Sequence, residues 1–516
     1  MLVSNLSKSP SEIELDQAKA TLPPSLATPD VSPRQGVTPS QGFGLHVLIR
    51  SSIVAVIGGI TGQAVKFLLY IYLARRFSSA DFGLVAFGTA VYAFIYIIAH
   101  AGLPVFGTRE VAKLEFVPNR LLFVIAGLRV VLGLTATLAA VVALTLVPGT
   151  TRRECWFVGL FGLSNVPLAG FCDWAFQGLR KLTASALLNV IWQVLWFVFV
   201  WVGILLGIGV VIVPAALCAS ALVVGALSLL WLRGTGLLRA ADEPARSLWN
   251  ECWNMLKLGA PLGIGTMLIT VLIWTDVIFV RMLRGPQEAG HYAAGNRAAL
   301  AVAMLASFYI QGVFPFFSRA VQEGQGLFRR YFQHAYDDLS LAFVPGAVWG
   351  AFNATAVMRL FFKRPEYVAA AHVFQIFQMI AVLIVLNALF GTGILVAFHR
   401  DRAYQNVLLA TVVFFLLICP LLTHLWSIVG AALAALAAQM FAFICFLSST
   451  RSFLKPAHLQ ALVWPCIAGL AAGLASWILR LSLAWACLLL VVAYAALALA
   501  HIRRVYRNFD SAGATS

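Results

Sequence analysis

The chain has 516 residues, of which 61% are hydrophobic and 11% charged, with a net charge of +16. No water-soluble fold needs that much apolar surface, and its apolar runs of about 20 residues match a ~30 Å hydrocarbon layer at about 1.5 Å per residue. The basic excess has no soluble, aromatic-interleaved segment to carry it onto nucleic acid, so no nucleic-acid partner is expected and the charge belongs to loops at a membrane surface.

Residues 1–45 are rich in Ser, Pro, Thr and Gln and lack an apolar run, which predicts a disordered cytoplasmic tail with no cleavable signal peptide ahead of the first span. Apolar helices are then predicted at 47–74, 82–103, 120–147, 155–176, 182–206, 209–232, 255–280, 291–316, 335–358, 369–398, 405–424, 427–448, 459–479 and 483–501. The expected fold is all-α and polytopic, with about 14 transmembrane helices. Residues 46–232 give an N-terminal bundle of helices 1–6, 233–254 a cytoplasmic linker holding Asp242-Glu243-Pro244, and 255–448 a C-terminal bundle of helices 7–12. Residues 449–501 add helices 13 and 14, and 502–516 a second cytoplasmic tail.

Orientation follows from the Lys and Arg bias of the connections. With both termini cytoplasmic, 23 of the 36 basic residues fall on the inner side and 10 on the outer. The remaining three, Lys66, Arg129 and Arg297, lie within predicted spans.

An internal repeat supports the division into halves. A shift of 207 positions lays Gly58 on Gly265, Asp81 on Glu288, Gly83 on Gly290 and Gly88 on Gly295, with Ile57, Phe67 and Tyr72 on Ile264, Trp274 and Phe279. An apolar helix, an acidic-x-Gly turn and a glycine-bearing helix thus occur twice without a gap, as in many transporters.

No catalytic or cofactor motif accompanies these spans. The eight cysteines form no C-x-x-C pair, and Cys218, Cys419, Cys445 and Cys487 sit inside apolar runs, as packing residues do. There is no nucleotide-binding glycine loop, no H-E-x-x-H and no acid pair for glycoside chemistry. The expectation is a non-enzyme with no cofactor and no metal, driven by an ion gradient or by substrate supply and removal. His100, His424 and His501 stand at helix ends, where an interfacial imidazole is expected.

The run Leu73-Ala-Arg-Arg-Phe-Ser-Ser-Ala-Asp-Phe-Gly-Leu-Val-Ala-Phe, followed by Gly102-Leu-Pro-Val-Phe-Gly-Thr-Arg-Glu-Val-Ala-Lys113, resembles the opening of the bacterial polysaccharide transporter family. This family holds the O-antigen and exopolysaccharide flippases of the multidrug/oligosaccharidyl-lipid/polysaccharide exporter superfamily. The resemblance implies two six-helix bundles in a V that move undecaprenyl-pyrophosphate-linked oligosaccharide across the bacterial inner membrane. It also implies membrane lipids as partners and admits polysaccharide polymerase machinery. Many members have twelve helices, so the last pair is an addition. A proton- or sodium-coupled drug exporter of the same superfamily is the alternative. A membrane-embedded polymerase partner would need a large loop with catalytic carboxylates.

A charge inside a span costs at least ~2.5–3.5 kcal/mol and marks candidate sites. Lys66 lies ~22 Å from Ser51 and ~14 Å from Arg75 along its helix, so it lines a cavity or snorkels. Arg129, ~13 Å from Arg120, either grips phosphate with its planar fork or pins helices through carbonyls. Arg297, within ~9 Å of a helix end, lines the cavity or snorkels. These three are the expected transport-cavity residues. Asp276 and Asp173 are the expected ion-coupling or gating residues. Asp276 is expected to pair with Lys66 across the halves, or else with Arg281 or Arg284; Asp173 is in reach of Arg180 and Lys181. The amide pairs Asn189/Gln193 and Gln375/Gln378 either line a sugar-wet cavity or glue helices together. Pro261 can break or bend the seventh helix. In the expected cycle an inward-open V admits the substrate head, Arg129 and Lys66 offset its charge, and the halves rock outward.

Overall fold

A computed structural model describes residues 45–114, 116–239, 247–453 and 462–513. The predicted tail at 1–45 therefore lies outside the described residues except Leu45, and so do residues 240–246 of the predicted linker.

The described chain is helical apart from one two-residue strand pair. Among the described residues nine helices are long and apolar enough to cross a membrane, or ten if one bent pair is a single span. The chain is a multi-pass membrane protein. Helix α1 spans Leu45–Arg76, and α2 spans Ser79–His100. Ser78 caps α2 by accepting from the Asp81 amide at 3.1 Å, satisfying one of the free donors at the helix start. Ala101 and Gly102 take left-handed φ of 41° and 73°, which stops α2 and starts the short α3, Leu103–Leu114. Strand β1, Val117–Pro118, leads into α4, Asn119–Leu146.

The predicted fourth span is not one helix. It is broken into α5 (Arg152–Leu163), α6 (Asn165–Leu168) and α7 (Asp173–Gly178). Helix α6 ends within one turn, Gly170 giving the chain freedom after it, and the carbonyls of Ala169 and Phe171 are left without backbone donors among the described residues. Continuous apolar character hid this break. Helices α8 (Leu182–Leu205) and α9 (Ile212–Gly234) follow, and β2 (Leu238–Arg239) pairs in parallel with β1, Val117 opposite Leu238.

The second half opens with α10, Leu248–Arg284, which begins inside the predicted linker and runs continuously through Pro261. The break considered at Pro261 is not realised. Helix α11, Pro286–Glu323, carries Pro at its first turn, where the missing donor costs nothing. The predicted ninth span is instead α12 (Gln325–Phe352) and α13 (Ala354–Phe362), bent by 87°. Asn353 at the bend donates to Trp349 O at 3.0 Å and to Ser476 Oγ at 2.9 Å, so its side chain competes with helix continuation. Helix α14, Ala371–Phe390, continues into a π turn at Gly391–Val396. Helix α15, Asp401–Thr450, holds the eleventh and twelfth predicted spans on either side of non-helical Trp426 and Ser427. Helices α16 (Val463–Ile478) and α17 (Leu483–Gly513) complete the chain, the predicted second tail being helical as far as Gly513.

The repeat is visible in how glycines are used. A Cβ on Gly83 would lie 1.7 Å from Pro286 O, and one on Gly290 would lie 2.0 Å from Ser79 O. The two matched glycines therefore face each other where α2 crosses α11, and the crossing needs both to lack a side chain. The next matched pair plays parallel parts: Gly88 abuts Phe157 and Phe161 of α5, and Gly295 abuts Ala370, Val373 and Phe374 at the start of α14. The first pair breaks the symmetry, since Gly58 packs on Ala186 whereas Gly265 has open space.

Charged pins join the halves near the Gly83–Gly290 crossing. Arg75 donates to Phe361 O at 2.6 Å and Leu360 O at 2.9 Å, and Arg364 returns from the other half to Phe77 O at 2.8 Å. Arg281 of α10 donates through Nε to Glu154 Oε1 at 2.7 Å. At the opposite end Arg120 of α4 pairs with Glu251 of α10 at 2.8 Å, and Gly102 lies against Gly259.

Candidate functional site

Three cavities lined from both sequence halves meet at Lys66, the residue that lines all of them. The largest, about 440 Å³, is lined by Gly58, Gly59, Gly62 and Gln63 of α1, by Gln177, by Leu182, Ser185, Ala186, Asn189 and Gln193 of α8, and by Phe308 and Gln311 of α11. A second, about 310 Å³, runs between α2, α8 and α10 past Tyr92, Tyr96, Trp192, Thr266, Thr270 and Trp274. A narrow recess joins Lys66 to Arg297, with Phe67, Tyr70, Trp274, Leu300 and Met304 as its walls. Gly58 and Gly59 let Ala186 and Phe308 pack directly against α1 on this side.

Arg297 is a cavity residue and does not snorkel. It is 9% exposed, its guanidinium lies 3.9 Å from the Trp274 ring centroid and 5.6 Å from that of Tyr70, and its Nη2 has no hydrogen-bond partner among the described residues. Aromatic faces offset part of the cost of burying the cation without consuming its N–H donors. The donors stay available to an anion. Lys66 is half-buried beside it, without an ion pair or hydrogen bond among the described residues. No Asp or Glu lines any of these three cavities.

Asp276 does not meet Lys66. It is 2% exposed, accepts from Tyr292 Oη at 2.7 Å, Val277 N at 2.7 Å and Asn296 Nδ2 at 3.3 Å, and makes no ion pair among the described residues. The expected alternatives fail as well, because Arg281 is held by Glu154 and Arg284 by the carbonyls of Thr423 and His424. Asp276 therefore ties α10 to α11. Arg297, one residue beyond Asn296, is the cation whose field reaches it.

Arg129 is not on the cavity wall. It is 3% exposed, donates to Phe171 O at 3.2 Å and Ala169 O at 3.5 Å, and meets His100 Nε2 at 3.0 Å. These carbonyls are the ones released where α6 ends, so the fork occupies acceptors that a hydrocarbon interior leaves without water. The helix-pinning role expected as its alternative fits this geometry. His100 ends α2 as expected, and there its Nδ1 bonds Tyr96 O at 2.8 Å while its ring lies 3.8 Å from that of Tyr96. A carbonyl only accepts and an arginine only donates, which fixes His100 as the neutral Nδ1–H tautomer. Asp173 starts α7, accepting from Trp174 N at 2.8 Å and Gln177 Nε2 at 3.3 Å, and is in the field of Arg129 rather than paired with Arg180 or Lys181.

The amides divide. Asn189 and Gln193 line the large cavity, whereas Gln375 donates to Ala351 O at 3.1 Å as helix glue and Gln378 packs on Gly350. Sequence reasoning missed the Trp274 and Tyr70 rings around Arg297, and missed Gln63, Gln177 and Gln311. In the repeat Trp274 stands where Phe67 does, which was the one available signal.

A multi-pass helical fold with broken helices and a polar cavity lined from both sequence halves is that of a membrane transporter. The family described as "Polysaccharide biosynthesis protein" matches residues 48–321, and the chain belongs to it. The "Putative O-antigen transporter" of Escherichia coli (strain K12) is 22% identical over 398 residues, covering 75% of this chain and 92% of that protein. Among solved structures, "Lipid II flippase MurJ, inward closed conformation" aligns with a TM-score of 0.69 at 12% identity, over 89% of this chain and 100% of that one. A eukaryotic MATE transporter, AtDTX14, aligns with a TM-score of 0.56 at 15% identity, over 82% of this chain and 98% of that one. The shared fold is thus that of flippases and multidrug transporters alike.

Proposed function

We propose that the chain flips an undecaprenyl-pyrophosphate-linked oligosaccharide across the bacterial inner membrane, for O-antigen or exopolysaccharide synthesis. The observation that carries this reading is the sign of the cavity: Lys66 and Arg297 are its charged residues, and no carboxylate accompanies them. A buried cation with free N–H donors suits phosphate oxygens and repels a cationic drug. The names of the O-antigen and lipid II relatives point the same way.

In this cycle the head group enters between the halves from the cytoplasm, and its phosphates meet Arg297 and Lys66. The lipid tail stays in the bilayer. The halves then exchange contacts at one end of the cavity for contacts at the other. With the N-terminus cytoplasmic, the Arg75, Arg364 and Arg281 pins form the outer gate and Arg120–Glu251 the inner one. The sequence halves, 46–232 and 255–448, act as the moving bodies. Asp276, bound to α11 beside Arg297, is the coupling carboxylate, since protonation would alter both its Tyr292 bond and the field on Arg297.

Deletion of the gene followed by mass spectrometry of the lipid fraction tests the reading. Accumulation of one undecaprenyl-pyrophosphate oligosaccharide on the inner leaflet is expected. An unchanged lipid pool with new drug sensitivity would overturn it in favour of a drug exporter.

A further inference from the structure

The 440 Å³ cavity differs in chemistry from the recess that holds Arg297. Its wall carries five carboxamides, Gln63, Gln177, Asn189, Gln193 and Gln311, together with Ser185. It is polar and large enough to be hydrated. Three of the amides are partly engaged: Asn189 donates to Ser185 O at 2.9 Å, Gln177 to Ser185 Oγ at 3.3 Å, and Gln63 to Met304 Sδ at 2.9 Å. Gln193 and Gln311 make no hydrogen bond among the described residues, and Gln193 Oε1 is buried without a partner. A buried acceptor left unpaired costs about 1–3 kcal/mol. Amides that serve only as helix glue spend their groups on a neighbouring helix, as Gln375 does on Ala351.

A carboxamide is neutral and offers a donor and an acceptor side by side, which matches a hydroxyl that is both. Five of them around a hydrated space suit a polyol and have no preference for an ion. Lys66 stands at the border, lining both this cavity and the Arg297 recess. A ligand with phosphates at one end and sugar at the other would meet matching chemistry in that order.

We propose that this amide-lined cavity is the glycan subsite of the transporter, and that Gln193 and Gln311 are specificity-determining residues for the sugars next to the pyrophosphate. The subsite rests on the flippase reading given above. Gln193 on α8 and Gln311 on α11 belong to different halves, so the sugar they recognise bridges the two bodies. A glycan lacking the matching hydroxyls would leave Gln193 Oε1 without a partner and Gln311 to water, and be bound less well.

The full-length protein in detergent would be tested by native mass spectrometry against two probes. One is undecaprenyl pyrophosphate; the other is the same lipid bearing the oligosaccharide, extracted from a host in which this gene is deleted. The wild-type chain is expected to bind the sugar-bearing lipid more tightly. Gln193→Met and Gln311→Met, which keep side-chain length, should each lower that affinity roughly five- to thirtyfold while leaving the sugar-free lipid within about twofold. Retained sugar-free binding shows that the variants fold, and the exposed position of Gln311 keeps the test open should Gln193→Met not fold. Equal loss for both probes, no loss for either, or a wild-type chain indifferent to the sugar would overturn the subsite. Arg297→Gln is expected to weaken both probes together. Wild-type failure to bind either probe would overturn the flippase reading itself, and the subsite with it.

Discussion

The ion pair between Arg281 and Glu154 can be dissected because its two jobs separate. Glu154 closes a capping box on α5, accepting from Thr151 N at 2.8 Å through Oε2, while Oε1 receives Arg281 Nε at 2.7 Å from the other half. Their side chains are 5% and 12% exposed, so solvent screens the pair little. Removing one partner of a buried pair costs about 3–5 kcal/mol. Arg281 also lies 5.9 Å from the Phe87 ring centroid and retains slight access to water, which brings the expected cost of Glu154→Gln to ~2–3 kcal/mol. Gln still serves the capping box, whereas Glu154→Ala loses it and should cost ~1 kcal/mol more. A double-mutant cycle with Arg281→Gln, read by unfolding of the purified protein, should give a coupling of ~1.5 kcal/mol or more. If the pair closes one end of the cavity, ~2 kcal/mol shifts the open population by about thirtyfold. Thiol labelling of Cys155, the next residue along α5, resolved by peptide mass spectrometry, should then rise in Glu154→Gln. A coupling below ~0.5 kcal/mol with unchanged labelling would refute the reasoning.

Other substitutions separate scaffold from site. Gly83→Ala and Gly290→Ala should each destabilise by ~1–3 kcal/mol or more, because each forces α2 and α11 apart, whereas Gly265→Ala in open space should stay within ~0.5 kcal/mol in the same unfolding assay. Arg129→Gln should cost ~2–4 kcal/mol of stability by stranding the carbonyls of Ala169 and Phe171, and should leave lipid binding by the folded fraction unchanged. Asp276→Asn preserves shape and a Tyr292 acceptor, so flipping in vesicles should persist while its pH dependence flattens; an unaltered pH profile would remove Asp276 from coupling.

Much of the fold was legible because the bilayer demands it. Apolar runs of spanning length become helices, since no other backbone arrangement hides its polar groups in lipid except a closed barrel. The repeat was legible where a glycine does steric work: Gly83 and Gly290 meet each other, Gly88 meets α5 and Gly295 meets the start of α14. Gly58 and Gly265 matched in sequence but share no role. Hydropathy was blind to interruptions, because Pro167, Gly170 and Asn353 break or bend helices without making the segment polar. At the 87° bend after Phe352, Asn353 bonds Ser476, more than a hundred residues away, a partner no local window contains.

The two buried arginines show why burial of a charge alone does not locate a site. Arg129 and Arg297 look alike in sequence, each a lone cation in an apolar span, and both are nearly inaccessible. What differs is what satisfies them. Arg129 meets carbonyls and an imidazole lone pair, so its donors are spent inside one half and the residue holds a broken helix in place. Arg297 meets the faces of Trp274 and Tyr70, which stabilise its charge while taking none of its N–H groups in ordinary hydrogen bonds. A cation held by aromatic rings keeps its directional chemistry for a ligand, and a cation held by oxygen acceptors does not. The partner of a buried charge, rather than its depth, therefore decides between scaffold and transport, and that partner is a property of the fold.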